Sequence, residues 1–201
     1  MKKVKFIFDL DGTITAIETL PLIAANFNLQ KEISQLTADT IAGNIPFMES
    51  FIYRVNLISK IPINLISNLL SDVPLHKILV EFIQKNKESC VIATGNLSCW
   101  VDKLTLKIGC ECRTSEAETH NNQVVKIKSI LRKEKVVQEY KIQGYKTVFI
   151  GDGNNDAEAM RLADISVAAG ICHEPSNTVH SVADYVVYDE GALCRLLNQL
   201  L

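Results

Sequence analysis

The sequence predicts an open α/β fold, a parallel sheet flanked by helices, with a small helical cap domain inserted after the first strand. Three observations carry this. Short apolar runs recur at 4–8, 90–93, 147–150, 165–168 and 185–188, each ending in a polar or glycine-rich loop. They are continuous rather than alternating, as expected of strands covered on both faces in a parallel sheet. Helical patterns alternate with these runs over residues 75–201, which implies right-handed crossovers, whereas residues 15–74 read as helix only.

In chain order, the first strand runs directly into Asp9-Leu10-Asp11-Gly12-Thr13. Helices are predicted over 18–27, 31–42, 46–59 and 62–70, with Pro46 and Pro62 where first-turn prolines are tolerated and Gly43 as a stop. Sixty residues of helix are too many for a simple crossover, so 15–74 is expected to be a cap, and 1–14 with 75–201 the catalytic core. Leu75, Ile78, Leu79, Phe82 and Ile83 follow i, i+3, i+4, i+7, i+8, an amphipathic helix before the second strand. Residues 110–128 hold Asn121-Asn122 between short β-like runs, a predicted hairpin. Val136, Val137 and Tyr140 mark a helix before the third strand, and 157–163 a short one after it.

Composition bounds the function. The chain has 201 residues, 47 % hydrophobic and 22 % charged, which is ordinary for a globular fold. A net charge of −2 gives no reason to expect nucleic acid or a membrane as partner. The first apolar run is interrupted by Lys5 and ended by Asp9, too short for a signal peptide, and no stretch approaches a membrane span. A cytoplasmic protein is therefore expected, with its six cysteines as reduced thiols. Cys110-Glu111-Cys112 lacks the second pair that structural zinc requires.

The chemistry is concentrated in three loops that follow predicted strands: Asp9 to Thr13, then Thr94-Gly95-Asn96, then Gly151-Asp152-Gly153-Asn154-Asn155-Asp156. In an open parallel sheet they meet in the crevice beyond the carboxyl ends of the strands. Gathering Asp9, Asp11, Asp152 and Asp156 there raises mutual repulsion that a cation relieves, and hard oxygen donors favour Mg²⁺. A carboxylate beside a bound phosphate can act as nucleophile, and a second carboxyl two residues on can serve as general acid and base. Loop amides can bind phosphoryl oxygens, and a lysine is wanted to neutralise remaining charge. A dinucleotide-loop reading of 151–156 fails, because Asp156 replaces the third glycine.

These motifs, Phe8-Asp9-Leu10-Asp11-Gly12-Thr13-Ile14-Thr15, Thr94-Gly95 and Gly151 to Asp156, closely resemble the signatures of haloacid dehalogenase superfamily phosphatases. The resemblance implies a Rossmann-like core, Asp9 as nucleophile and Asp11 as general acid/base. It implies Mg²⁺ held by Asp9, the Asp11 carbonyl and Asp152 with Asp156 in support, and a phosphoryl group contacted by Thr94, Gly95 and Asn155. Lys133, followed by Val136-Val137, best fits the family lysine, with Lys135 as fallback.

The cap is similar to that of phosphoserine phosphatases. Glu18 lies seven residues after Asp11, and 47–55 is similar to the segment that bears their substrate-carboxylate arginine. The resemblance implies that Glu18 meets an ammonium and Arg54 a carboxylate, which suits an acid and a guanidinium fork. Asn96 stands where those enzymes usually have glycine, and Gly12 replaces their common serine. The expected function is Mg²⁺-dependent hydrolysis of phosphoserine or a similar small phosphorylated metabolite, by a monomer or homodimer. A sugar phosphate or sulfur-salvage intermediate remains an alternative substrate, and a catalytically quiet phosphate-binding regulatory module an alternative role.

Overall fold

The computed structural model describes residues 3–41 and 44–201 of the chain. In order, the elements are β1 (Val4–Phe8), α1 (Thr19–Asn26), α2 (Gln30–Ile41), α3 (Phe47–Ile58), α4 (Ile63–Ser71), α5 (Lys77–Lys85), β2 (Cys90–Leu97), α6 (Ser98–Ile108), β3 (Glu111–His120) and β4 (Gln123–Ser129). They continue with α7 (Lys133–Ile142), β5 (Lys146–Gly151), α8 (Ala157–Leu162), β6 (Ile165–Ala169), α9 (Asn177–His180), β7 (Tyr185–Val187) and α10 (Glu190–Leu200). The sheet order is β4-β3-β2-β1-β5-β6-β7. All neighbours are parallel except β3 and β4, which form the hairpin.

Alternate residues of the strands feed two separate apolar layers. Phe6, Phe8, Ile92, Val148 and Ile150 pack with Leu79, Phe82, Val101, Leu104 and Leu193, from α5, α6 and α10. Ile7, Val91, Ala93 and Phe149 pack with Val136, Val137, Met160 and Val179, from α7, α8 and α9. Each such side chain removed from water contributes roughly 1.5–3 kcal/mol, so both faces of β1 stabilise the strand end that carries Asp9. At the sheet edge, β7 leaves Tyr185 45 % exposed.

The helical segment is tied at its base. Thr15 bridges Leu75, the Ala16 N–H donates to the Pro74 carbonyl (2.9 Å), and the His76 N–H donates to that of Ile14 (3.0 Å). The hairpin turn at Asn121 and Asn122, both with positive φ, touches the start of α4. There the Ile63 N–H donates to the Asn122 carbonyl (2.8 Å) and the Asn64 N–H to its Oδ1 (3.1 Å).

Some elements differ from the sequence reading. Leu75 belongs to the bridge rather than the following helix, and Ile78 is 50 % exposed, because α5 rests on Leu79, Phe82 and Ile83. Thr94 to Asn96 are strand rather than loop, since β2 bulges against β3 and continues to Leu97. Pro46 and Pro62 precede the first helical residues of α3 and α4. The stop assigned to Gly43, with Ala42, lies outside the described residues. Among the described residues no helix is long and apolar enough to cross a membrane.

Candidate active site

The three strand-end loops converge at the carboxyl edge of the sheet. Asp9 extends β1 by one residue, its N–H donating to the Ile150 carbonyl of β5 (2.8 Å). That ladder fixes the backbone and leaves the residue 5 % exposed. Lys133, the first residue of α7, places Nζ 2.6 Å from Asp9 Oδ1 and 2.6 Å from Asp156 Oδ1. Lys135 is exposed and bonds Gln138, so the buried ammonium of the site is Lys133. Asp156 uses its second oxygen to accept the N–H groups of Asp152 (3.1 Å) and Gly153 (2.9 Å), closing the loop on itself. Gly151 makes this possible: a Cβ there would lie 2.5 Å from Asp156 Oδ2.

Asp152 accepts the Thr13 hydroxyl on Oδ1 (2.7 Å) and faces His173 Nε2 with Oδ2 (3.2 Å). The same imidazole nitrogen lies 2.7 Å from Glu18 Oε1. Gly12 sits beneath these three groups at φ +70°, and a Cβ would meet Asp152 Oδ2, Glu18 Oε1 and His173 Nε2 at 2.8–2.9 Å. A serine at this position would be both strained and in collision. Asp11 accepts the Thr19 N–H (3.3 Å) and the Thr19 hydroxyl on Oδ1, and the Asn96 amide on Oδ2 (2.6 Å).

Burial and crowding shape the charges. Desolvation, then the Asp156 charge, pushes the Asp9 carboxyl well above its usual range, against the pull of Lys133. Desolvation and Asp156 likewise push Asp152 up to about 7, opposed by the Thr13 hydrogen bond. Asp11 is raised by desolvation, with the Thr19 hydroxyl acting against it. Burial alone would lower the pKa of Lys133, but the Asp156 and Asp9 charges outweigh it and hold the ammonium charged.

Asp9, Asp152 and Asp156 each bring a carboxylate oxygen within 4.8 Å of the others, a set that could hold a metal ion. Four carboxylates stand against one buried ammonium, and the donors are hard oxygens, so the residues fit a divalent cation. Glu18, Asp152 and His173 form a second such group.

A cavity of about 500 Å³ opens beside this cluster. Asp9, Asp11, Thr94, Gly95 and Asn155 line one end, while Glu18 from the head of α1 and Arg54 from α3 line the helical side. Arg54 donates to Thr37 Oγ1 (3.2 Å), its Nε is buried without an acceptor, and among the described residues no carboxylate pairs with it. All the predicted site residues except Asp156 and Lys133 therefore border one cavity, and those two organise its floor. The sequence reading missed Thr13, Thr19 and His173. His173 follows the end of β6, and the strand-end rule that found the other loops could have found it.

The model of the haloacid dehalogenase-like hydrolase family matches residues 6–164. The phosphoserine phosphatase of Archaeoglobus fulgidus is 26 % identical over 198 residues, which cover 92 % of this chain but only 56 % of that protein. That of Lactococcus lactis subsp. lactis is 26 % identical over 183 residues, covering 85 % of this chain and 84 % of the relative. In fold, a phosphoserine phosphohydrolase-like protein from Francisella tularensis superposes with a TM-score of 0.80 at 20 % identity, covering 96 % of this chain and 99 % of the other. The strand-end aspartates thus lie in the scaffold on which such proteins are built, and the chain belongs to the haloacid dehalogenase-like hydrolases, with a sequence similar to those of phosphoserine phosphatases.

Proposed function

We propose that the chain hydrolyses phosphoserine or a close relative through a phosphorylated Asp9, with Mg²⁺ as cofactor. One observation carries this reading: a single cavity joins the buried Asp9, tied to Lys133 at 2.6 Å, to the Arg54 cation, which among the described residues pairs with no carboxylate. The first end suits phosphoryl transfer, and the second suits a leaving group that carries an anion.

In this reading Lys133 holds one Asp9 oxygen and leaves the other to attack phosphorus. The bond to the leaving oxygen breaks, and Asp11 supplies the proton that oxygen needs. Asp11 then takes a proton from the water that attacks the acyl phosphate, regenerating Asp9 and releasing inorganic phosphate. Thr94, Gly95 and Asn155 contact the phosphoryl oxygens, Arg54 the substrate carboxylate, and Glu18 its ammonium. Asp9, the Asp11 carbonyl and Asp152, with Asp156 in support, would hold Mg²⁺, which supplies positive charge to the phosphoryl oxygens. Residues 15–74 act as the cap over a core of 1–14 and 75–201, excluding water and selecting the leaving group. The six free cysteines fit a cytoplasmic location, and the working unit is a monomer or homodimer.

The 2.7 Å contact between His173 and Glu18 favours a second reading. With that oxygen engaged, a leaving group without an ammonium, such as a sugar phosphate, suits the same cavity. The test is phosphate release from a panel of phosphorylated amino acids, sugars and sulfur-salvage intermediates with Mg²⁺, together with intact-mass detection of the phosphorylated chain. Phosphoserine is expected to give the highest kcat/KM, with a phosphoenzyme that Asp9→Asn abolishes. Turnover without a phosphoenzyme would overturn the covalent route, and a sugar phosphate as best substrate would select the second reading.

A further inference from the structure

We propose that Asn96 is a positioning residue that aims the carboxylate of Asp11 at the leaving group; the proposal rests on the acid/base role of Asp11 given above. β2 pairs with β1 as far as Ile92 opposite Phe8, and its register against β3 shifts between Ala93 and Leu97. This irregular stretch carries Asn96 to the loop after β1, 85 residues away in sequence. There Asn96 Nδ2 donates to Asp11 Oδ2 at 2.6 Å, a short contact for an amide on a carboxylate.

The two oxygens of Asp11 are held from opposite sides. Thr19, at the head of α1, donates both its N–H and its hydroxyl to Oδ1. Among the described residues Asn96 is the donor to Oδ2. Removing it frees the carboxylate to turn about its last side-chain bond, with only the Thr19 end still fixed. The Asn96 backbone N–H also donates to Thr94 Oγ1 (3.2 Å), and Nδ2 lies 3.4 Å from the same oxygen. One residue therefore sets the acid/base group relative to the threonine that contacts the phosphoryl group. Proton transfer depends steeply on such placement, and a misplacement of about 1 Å can cost roughly 100-fold. Glycine at this position can form neither side-chain bond, so the constraint belongs to the asparagine of this chain.

The decisive experiment compares two substrates that differ in their need for a proton. An alkyl phosphate such as phosphoserine must have its leaving oxygen protonated, whereas p-nitrophenyl phosphate expels a stable phenolate without help. In the Mg²⁺-loaded full chain, Asn96→Ala is expected to lower kcat/KM for the alkyl phosphate by roughly 10- to 100-fold, within the range of general acid catalysis. The aryl phosphate should stay within about three-fold. Asn96→Gly, which adds no side chain to the bulge, should give the same pattern if Ala disturbs the strand. Asn96→Asp sets a second carboxylate against Asp11 and should be worse than Ala on the alkyl phosphate. Asp11→Asn serves as the control: it should show the same leaving-group dependence more strongly, and adding Asn96→Ala to it should cost little more. Equal losses of the two Asn96 variants on both substrates, or no loss on either, would overturn the proposal while Asp11→Asn keeps its dependence. If Asp11→Asn itself shows none, the acid/base reading of Asp11 fails and takes this proposal with it.

Discussion

The two ends of the cavity are built to different standards. At the phosphate end, Asp9 is 5 % exposed, Asp156 is 0 % exposed, and Lys133 bonds both of them. Every charged group there is tied to another part of the core before any ligand arrives. At the helical end, the Glu18 side chain is 39 % exposed and shares one oxygen with His173, while Arg54 has a threonine hydroxyl as partner and, among the described residues, no carboxylate. Under the proposed function, the fold preorganises the reaction and leaves selection to contacts that the substrate itself completes. Loss of Asp9 should therefore fail on every substrate, loss of Asp11 or Asn96 should depend on how much the leaving oxygen needs a proton, and variants at the second end should discriminate by the groups the substrate carries.

The largest expected effect is at Asp9. Asp9→Asn keeps the shape and removes the anionic attacking oxygen, so turnover should fall by roughly four or more orders of magnitude. The loss should be the same on phosphoserine and on an aryl phosphate, which steady-state kinetics on both would show. More than a tenth of the wild-type rate would remove Asp9 from the reaction. Arg54→Ala comes next and should break the symmetry between substrates. Losing one partner of a desolvated charge pair costs about 2–5 kcal/mol, or roughly 30- to 5000-fold in kcat/KM for phosphoserine. The aryl phosphate should change only several-fold. Arg54→Lys should rescue in part, since an ammonium lacks the planar fork. Equal losses on both substrates would assign Arg54 to the general machinery and erase the contrast between the two ends.

A third prediction reads the phosphate end without turnover. Burial, then the Asp156 charge, pushes Asp152 up to about 7, and a divalent cation bound among these carboxylates should offset both. At a Mg²⁺ concentration 100 times its Kd, the native state should gain about 2.7 kcal/mol. For a chain of this size that raises Tm by roughly 5–10 °C. Thermal unfolding with and without Mg²⁺ measures it, and Asp152→Ala should abolish most of the shift. Unchanged Tm in wild type across a Mg²⁺ titration would mean that the acidic cluster is neutralised by protons alone.

The contrast also explains what could be read in advance. Asp9, Asp11, Asp152 and Asp156 were legible because each motif is local and sits at the end of an apolar run that marks its strand. The family resemblance pointed to Lys133, with Lys135 as fallback, by its place before Val136 and Val137, which the α7 face buries. The Asn96–Asp11 bond and the His173–Glu18 pair join residues 85 and 155 positions apart, and no periodicity signals such a meeting. The same holds for Thr94 to Asn96, which look like a loop by composition but are held as strand by the bulge against β3. Ile78 was misplaced on the buried face because the 3.6-residue pattern defines a stripe, not its edges, and α5 turns that position outward. Gly12 looked like a departure from pattern until the three side chains packed above it were visible.

The smallest effect concerns the joint between the two regions. The first turn of α4 has Pro62 before it, which offers no side-chain cap. Two of its free N–H groups, those of Ile63 and Asn64, are satisfied instead by the carbonyl and Oδ1 of Asn122 at the hairpin tip. Asn122 Nδ2 returns the bond to Asn64 Oδ1 at 2.6 Å. The β3–β4 hairpin thus caps α4, 58 positions away in sequence. Asn122→Gly is the informative change, because φ is +63° and an alanine would add backbone strain of its own. Glycine keeps the Ile63 bond to the carbonyl and removes only the side-chain cap. Loss of such a cap costs about 1 kcal/mol, and roughly 2–4 °C in Tm for a chain of this size. Urea and thermal unfolding should both register it. Because α4 does not border the cavity, kcat on the aryl phosphate should stay at the wild-type value. A drop in kcat with unchanged Tm would show that the hairpin tip governs how the helical segment sits over the site, and the division between a fixed chemical end and an open selecting end would need redrawing.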